Sequence, residues 1–124
     1  MASGISRSRL MRSKALHGET MSVTELSKET IAIKEKADDA SAFLKKLANR
    51  DRLLICCALV DGERSVRELE DSLDLRQPGL SQQLAELRSA DLIVGRKEGK
   101  QVFYSLADTR VERFISTMYE LFCA

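Results

Sequence analysis

The sequence predicts a mainly α domain with a small β-hairpin (α+β), in the order α-α-α-α-β-β-α. Three observations predict it. Apolar residues recur at three- and four-residue steps through most of the chain; two β-rich runs flank a Gly-containing turn; and the composition, 44% hydrophobic and 31% charged with one Pro and no Trp, is that of a helix-rich globular protein. A length of 124 residues fits one domain with a modest core.

Residues 1–20 are Ser- and Arg-rich without a sustained period, and read as a disordered N-terminal extension; they hold the only His, His17. Met21 offers a start of its own, so the domain is expected over residues 21–124. Ser22 and Glu25 have capping-box spacing, and Leu26, Ile33, Ala37, Ala40, Phe43, Leu44 and Leu47 keep a helical apolar spacing, which predicts one helix or two abutting ones up to Ala48. Arg50 to Val60 predicts a compact apolar helix ended by the Asp61-Gly62 turn. Ser65 and Glu68 form a second capping box, which opens a short helix from Val66 to Leu73. Pro78, tolerated only in a first helical turn, precedes Leu80, Leu84 and Leu87, so the next helix is predicted from Gln77 to Ser89. Leu92 to Lys97 and Lys100 to Ser105 read as strands about a Glu98-Gly99 turn. Val111, Phe114, Ile115, Met118, Leu121 and Phe122 give a last helix from Thr109 a broad apolar face, which is expected to be covered by a second copy.

Net charge is only +1, but its distribution is uneven. Residues 1–20 carry four Lys or Arg against one Glu, and residues 76–104 carry five basic against three acidic groups. No apolar run approaches the roughly 18 residues of a membrane span, and no signal-peptide apolar core follows the early basic residues. Three cysteines without scaffold spacing suit a reducing compartment. A cytoplasmic location is therefore expected. One His in the extension and no nucleophile–base pair leave no catalytic constellation, so the chain is not expected to be an enzyme.

Helix, tight turn, helix and basic hairpin, in that order, are the parts of a winged helix-turn-helix that reads double-stranded DNA. If Leu80, Leu84 and Leu87 face the core, Gln82 points nearly opposite, Ser81 lies on the flank, and Gln77 sits at the helix start. Gln suits bidentate contact with adenine, and Ser suits base or phosphate. The hairpin carries Arg96, Lys97 and Lys100, whose charges suit phosphate.

The stretches R-Q-P-G-L-S-Q-Q-L-A-E-L-R and A-D-L-I-V-G-R-K-E-G-K-Q-V-F-Y-S-L, with L-A-N-R-D-R-L-L-I before them, resemble the ArsR/SmtB family of small repressors. The resemblance covers about two-thirds of the chain, Leu44 to Cys123. It implies a homodimeric winged helix-turn-helix repressor, built largely through first and last helices, that leaves its operator when an inducer arrives. It also places a helix cap at Arg76, where many members have Ser, and the lost acceptor should weaken that cap by about 1 kcal/mol. The family's metal positions fall here on Ser65, and on Asp108, Arg110, Leu121 and Ala124, which retain one carboxylate and neither thiolate nor imidazole. No metal and no cofactor are expected. Cys56, Cys57 and Cys123 remain. A second-helix Cys and a Cys one residue from the end resemble the persulfide-sensing branch of the family, which implies Cys57 and Cys123 as the redox-sensing pair. Periodicity alone does not choose between Cys56 and Cys57, which project about 100° apart. The implied inducer is a reactive sulfur species, persulfide or polysulfide, that crosslinks the pair. Sensing of general oxidants or of a metal, and a winged-helix module that binds protein, are the alternative readings.

Overall fold

The computed structural model describes residues 25–124, so the extension over residues 1–20, with His17, and the Ser22 half of the first capping box lie outside the described residues. Among the described residues the first helix is α1 (Lys28–Leu47). Its cap is Ser27, whose Oγ accepts the Thr30 N–H at 3.1 Å, three residues on as an N-cap requires. The chain divides after Ala42 into two units. Within the first, the apolar residues Ile31 and Ile33 are about half exposed, so the helical spacing in this stretch marks an unburied stripe.

The second unit, residues 43–124, holds the core. Helix α2 (Arg50–Val60) runs over the predicted residues and is capped by Asn49, whose side chain accepts the Arg52 N–H at 3.1 Å. Strand β1 (Arg64–Ser65) leads into α3 (Val66–Leu73). The capping box at this junction forms in both directions: Ser65 Oγ accepts the Glu68 N–H at 3.1 Å, and Glu68 Oε1 accepts the Ser65 N–H at 2.8 Å. Helix α4 (Gly79–Ser89) is followed by β2 (Ile93–Glu98), β3 (Gln101–Leu106) and α5 (Thr109–Phe122), the last capped by Asp108.

The three strands form one antiparallel sheet in the order β1-β3-β2, with Arg64 opposite Tyr104 and Arg96 opposite Phe103. Strand β1 escapes sequence reading because two residues carry no period of their own; pairing with β3 makes it a strand. The hairpin turn falls one residue later than predicted, on Gly99-Lys100, and Gly99 takes a left-handed φ of 63° at the first turn position, where Gly is favoured.

Leu47, Ile55, Leu69, Leu80, Leu87, Ile93 and Val111 are almost wholly excluded from solvent and meet at the centre. Helix α2 supplies the hub, since it packs against α3, α4, α5 and β3. The last helix is not a single outward face: Val111 and Ile115 are buried in the chain's own core, and Phe114 packs edge-on against Phe43 at 6.0 Å, whereas Tyr119, Leu121 and Phe122 are exposed. Among the described residues no helix is long and apolar enough to cross a membrane.

Candidate functional site

Two regions of the second unit carry chemistry. The first begins where α3 ends. Asp74 closes α3 in a left-handed conformation, φ 55°, which Asp tolerates better than most residues, and Leu75 then drops into the core. They open the connection, residues 74–78, that leads from α3 to α4. Leu80, Leu84 and Leu87 are buried along one side of α4, while Ser81 and Gln82 are exposed on the other, as the helical phase requires.

The start of α4 differs from expectation. The helix begins at Gly79 behind Pro78, and no side chain of Arg76 caps it; Arg76 contributes its carbonyl to the Leu80 N–H at 3.0 Å. Gln77 stands in for a cap. Its Oε1 accepts the Ser81 N–H at 3.2 Å and the Ser81 hydroxyl at 2.6 Å. Gln77 and Ser81 are thus tied to each other at the exposed mouth of the helix, and Gln82 is the exposed side chain whose amide has no hydrogen-bond partner among the described residues.

Helix α4 ends in a Schellman arrangement that aims the hairpin. The Asp91 N–H bonds to the Arg88 carbonyl and the Leu92 N–H to the Leu87 carbonyl, both at 3.0 Å, with Asp91 at φ 60° and Leu87 and Leu92 buried against the core. The Ala107 N–H then donates to the Leu92 carbonyl at 2.9 Å, which closes the hairpin's base.

On the hairpin the three basic residues part company. Lys97 and Lys100 are exposed and form no ion pair among the described residues. Arg96 is fully engaged: Nε and Nη2 donate to Glu63 at 3.0 and 2.7 Å, Nη1 donates to Glu98 at 2.8 Å, and the guanidinium lies 4.9 Å from the centre of the Phe103 ring. The Arg96 hydrogen bond holds the Glu63 carboxyl below its ordinary range. Glu63 and Phe103 are absent from the residues read from sequence, because Glu63 reaches Arg96 only beside β1 and Phe103 only through the register of the hairpin.

The second region lies between α2 and α5. Leu53, Leu54, Cys57, Ile115, Met118, Tyr119, Phe122 and Cys123 line a groove of about 220 Å³. Cys57 and Cys123 are both exposed and both belong to this lining. Cys56 is turned away by one helical step and is wholly buried in the core. Burial, and then the neighbouring Cys57, push the Cys56 thiol up from 9.0 to about 12. The geometry therefore makes the distinction that periodicity leaves open: one thiol of the adjacent pair shares a groove with Cys123 and the other is core.

At each of the two places where the family resemblance puts a metal site, one of the residues, Ser65 or Asp108, is a helix cap. The Ser65 hydroxyl caps α3. Asp108 accepts the Arg110 N–H at 2.9 Å and pairs with the Arg110 guanidinium at 2.7 Å, which lowers its pKa. Among the described residues no group of three or more His, Cys, Asp or Glu side chains could hold a metal ion.

Comparison with known proteins agrees with this architecture. Residues 49–94 match the model of the bacterial regulatory protein arsR family. A biofilm growth-associated repressor from Agrobacterium fabrum is 47% identical over 93 residues, which cover 75% of this chain and 80% of the relative. The crystal structure of the transcriptional repressor BigR from Xylella fastidiosa superposes with a TM-score of 0.73 at 36% identity, over 80% of this chain and 99% of that one. Reduced HlyU from Vibrio cholerae superposes with a TM-score of 0.70 at 42% identity, over 75% and 98%. With its helix-turn-helix and wing in place, the chain belongs to the arsR family of bacterial regulatory proteins, on the branch that includes the BigR repressors.

Proposed function

We propose that this protein is a dithiol-based transcriptional repressor, which holds operator DNA while Cys57 and Cys123 are reduced and releases it when persulfide or polysulfide crosslinks them. The observation that carries the reading is the shared groove: two exposed thiols from different helices line one apolar surface, and the third thiol is buried and held protonated. The protein works in the cytoplasm, as a homodimer joined through the last helix, α5, whose exposed Leu121 lies outside the groove lining. It has no catalytic role and binds no metal or cofactor.

On DNA, α4 enters the major groove. Gln82 reads a base edge, Gln77 and Ser81 contact base or phosphate at the helix start, and Lys97 and Lys100 neutralise phosphates from the wing. Arg96 serves the wing from within, by pinning β2 to Glu63.

In the sensing step one thiolate attacks the sulfane sulfur of RSSH and RS⁻ leaves; the second thiolate then attacks the Cys Sγ of the new persulfide and displaces hydrosulfide. Two thiols and RSSH become a disulfide, RSH and H₂S. A further sulfane sulfur retained in the bridge lengthens it by about 2 Å. The bridge ties α5, which joins the dimer, to α2, which packs against α4. Separation of the two reading helices then departs from the roughly 34 Å half-site repeat. A tenfold loss of affinity requires about 1.4 kcal/mol of preference for the bridged, non-binding geometry.

Operator titrations by fluorescence anisotropy test this. Cys57→Ser and Cys123→Ser are expected to bind as tightly as the wild type and to ignore polysulfide, while Cys56→Ala still responds. A response that survives in Cys57→Ser or Cys123→Ser, or that disappears in Cys56→Ala, refutes the pair.

A further inference from the structure

Every residue of the groove that holds Cys57 and Cys123 is aliphatic, aromatic, Met or Cys. No cation stands in that lining to meet a carboxylate, and the polar atoms it offers are few: the Tyr119 hydroxyl and the two thiols. Its volume, about 220 Å³, lies below the roughly 300 to 1,000 Å³ of sites that enclose drug-sized or peptide-sized ligands. The lining offers charged peptide ends no partner, so they would have to stay in solvent, whereas short alkyl ends can be buried against Leu53, Leu54, Ile115 and Met118.

We infer that the sensing groove selects its sulfur donors by their ends, and that it takes uncharged dialkyl polysulfanes in preference to charged, peptide-capped ones. The inference rests on the thiol reading above and adds the chemical class of the donor. With a dialkyl trisulfide RSSSR, one Cys thiolate attacks the central sulfur and RS⁻ leaves, which gives a Cys–S–S–R intermediate in which the Cys sulfur is the first of three. The other thiolate attacks that same central sulfur and expels the second RS⁻. Two thiols and RSSSR become a Cys57–S–Cys123 trisulfide and two RSH, with no outside oxidant. The sulfur chain is common to all trisulfides, so the ends alone decide how well the donor is held during the first attack.

The experiment compares di-n-propyl trisulfide with glutathione trisulfide on the reduced full-length protein. Bridge formation is followed by intact mass and operator release by anisotropy, and each rate is divided by that donor's rate with free cysteine. The dialkyl donor is expected to be faster by about tenfold or more, the effect of burying a methylene or two. Met118→Lys, which puts an ammonium into the lining, should narrow that ratio by favouring the carboxylates. Corrected wild-type rates that are equal, or that favour glutathione trisulfide, overturn the selection while leaving the thiol pair intact. A folded Met118→Lys protein with an unchanged ratio also overturns it. Absence of a bridge from either donor removes the thiol reading itself. The wild-type comparison decides the matter alone if Met118→Lys fails to fold.

Discussion

Removing single charges from the wing tests the proposed division between Arg96, which would hold the wing, and Lys97 and Lys100, which would grip DNA. Each phosphate neutralised by a cation contributes about −0.9 to the slope of log K against log salt. A dimer places two wings on the operator, so Lys97→Ala should flatten the slope by about 1.8. Between about 50 and 200 mM salt the wild type would then weaken roughly twelvefold more than Lys97→Ala. Arg96 behaves otherwise, because its three guanidinium nitrogens already donate to Glu63 and Glu98 and its plane covers Phe103. Arg96→Ala should lower affinity through a loosened wing and leave the slope at the wild-type value. Glu63→Gln provides the opposite perturbation, since it loosens the same anchor without removing the cation. Operator binding measured by anisotropy over a salt series yields all the slopes. If Glu63→Gln steepens the slope by about 1.8, or Arg96→Ala flattens it as Lys97→Ala does, Arg96 is a phosphate contact and the anchoring argument fails.

Two further outcomes are expected. Gln82→Ala should weaken operator binding by about 1–3 kcal/mol and leave binding to random DNA almost unchanged, and a gel-shift comparison showing equal losses on both would remove its base-reading role. Cys56 keeps its proton in the folded chain up to about pH 12, whereas the unfolded thiol ionises near 9.0. Its contribution to stability is therefore complete below pH 9 and is lost as pH rises from there toward 12. Urea titrations should show Cys56→Ala losing less stability over that interval than the wild type, and iodoacetamide at pH 8 should add to Cys57 and Cys123 in the native protein but not to Cys56.

Much of the fold was legible because local rules and tertiary burial point the same way. The Ser65 and Glu68 spacing opens α3 at the predicted residue, and the Leu80, Leu84, Leu87 phase of α4 is the buried one. Failures came where a partner outside the helical or strand period decides the conformation. Two residues become β1 only by pairing with β3, the turn slips to Gly99-Lys100 because β2 extends through Glu98, and the start of α4 follows from Gln77 bonding to Ser81 behind Pro78. The candidate site was legible in part. Exposure of Gln82, Lys97 and Lys100 follows from phase and composition, but the engagement of Arg96 depends on Glu63, 33 residues away. The groove is likewise a long-range product, since Cys57 and Cys123 meet its lining only when α5 lies along α2.

The position of the two adjacent cysteines explains how a change in the groove can reach the DNA-reading helix. Ile55, Cys56 and Leu59 lie on the buried side of α2, in the same core cluster as Leu80, Leu84 and Leu87 of α4. Cys57, about 100° further round, lies on the groove side with Leu53 and Leu54. A bridge at Cys57, as proposed, would therefore pull on a helix whose buried side packs in one core cluster with the proposed reading helix. Close-packed interiors transmit such a displacement as a rigid shift and do not absorb it locally. Under the proposed mechanism Cys56, small, buried and protonated, would belong to the side that transmits the shift, and Cys57 to the side that receives the signal. A bulkier core residue at position 56 would alter that transmission without touching either reactive thiol.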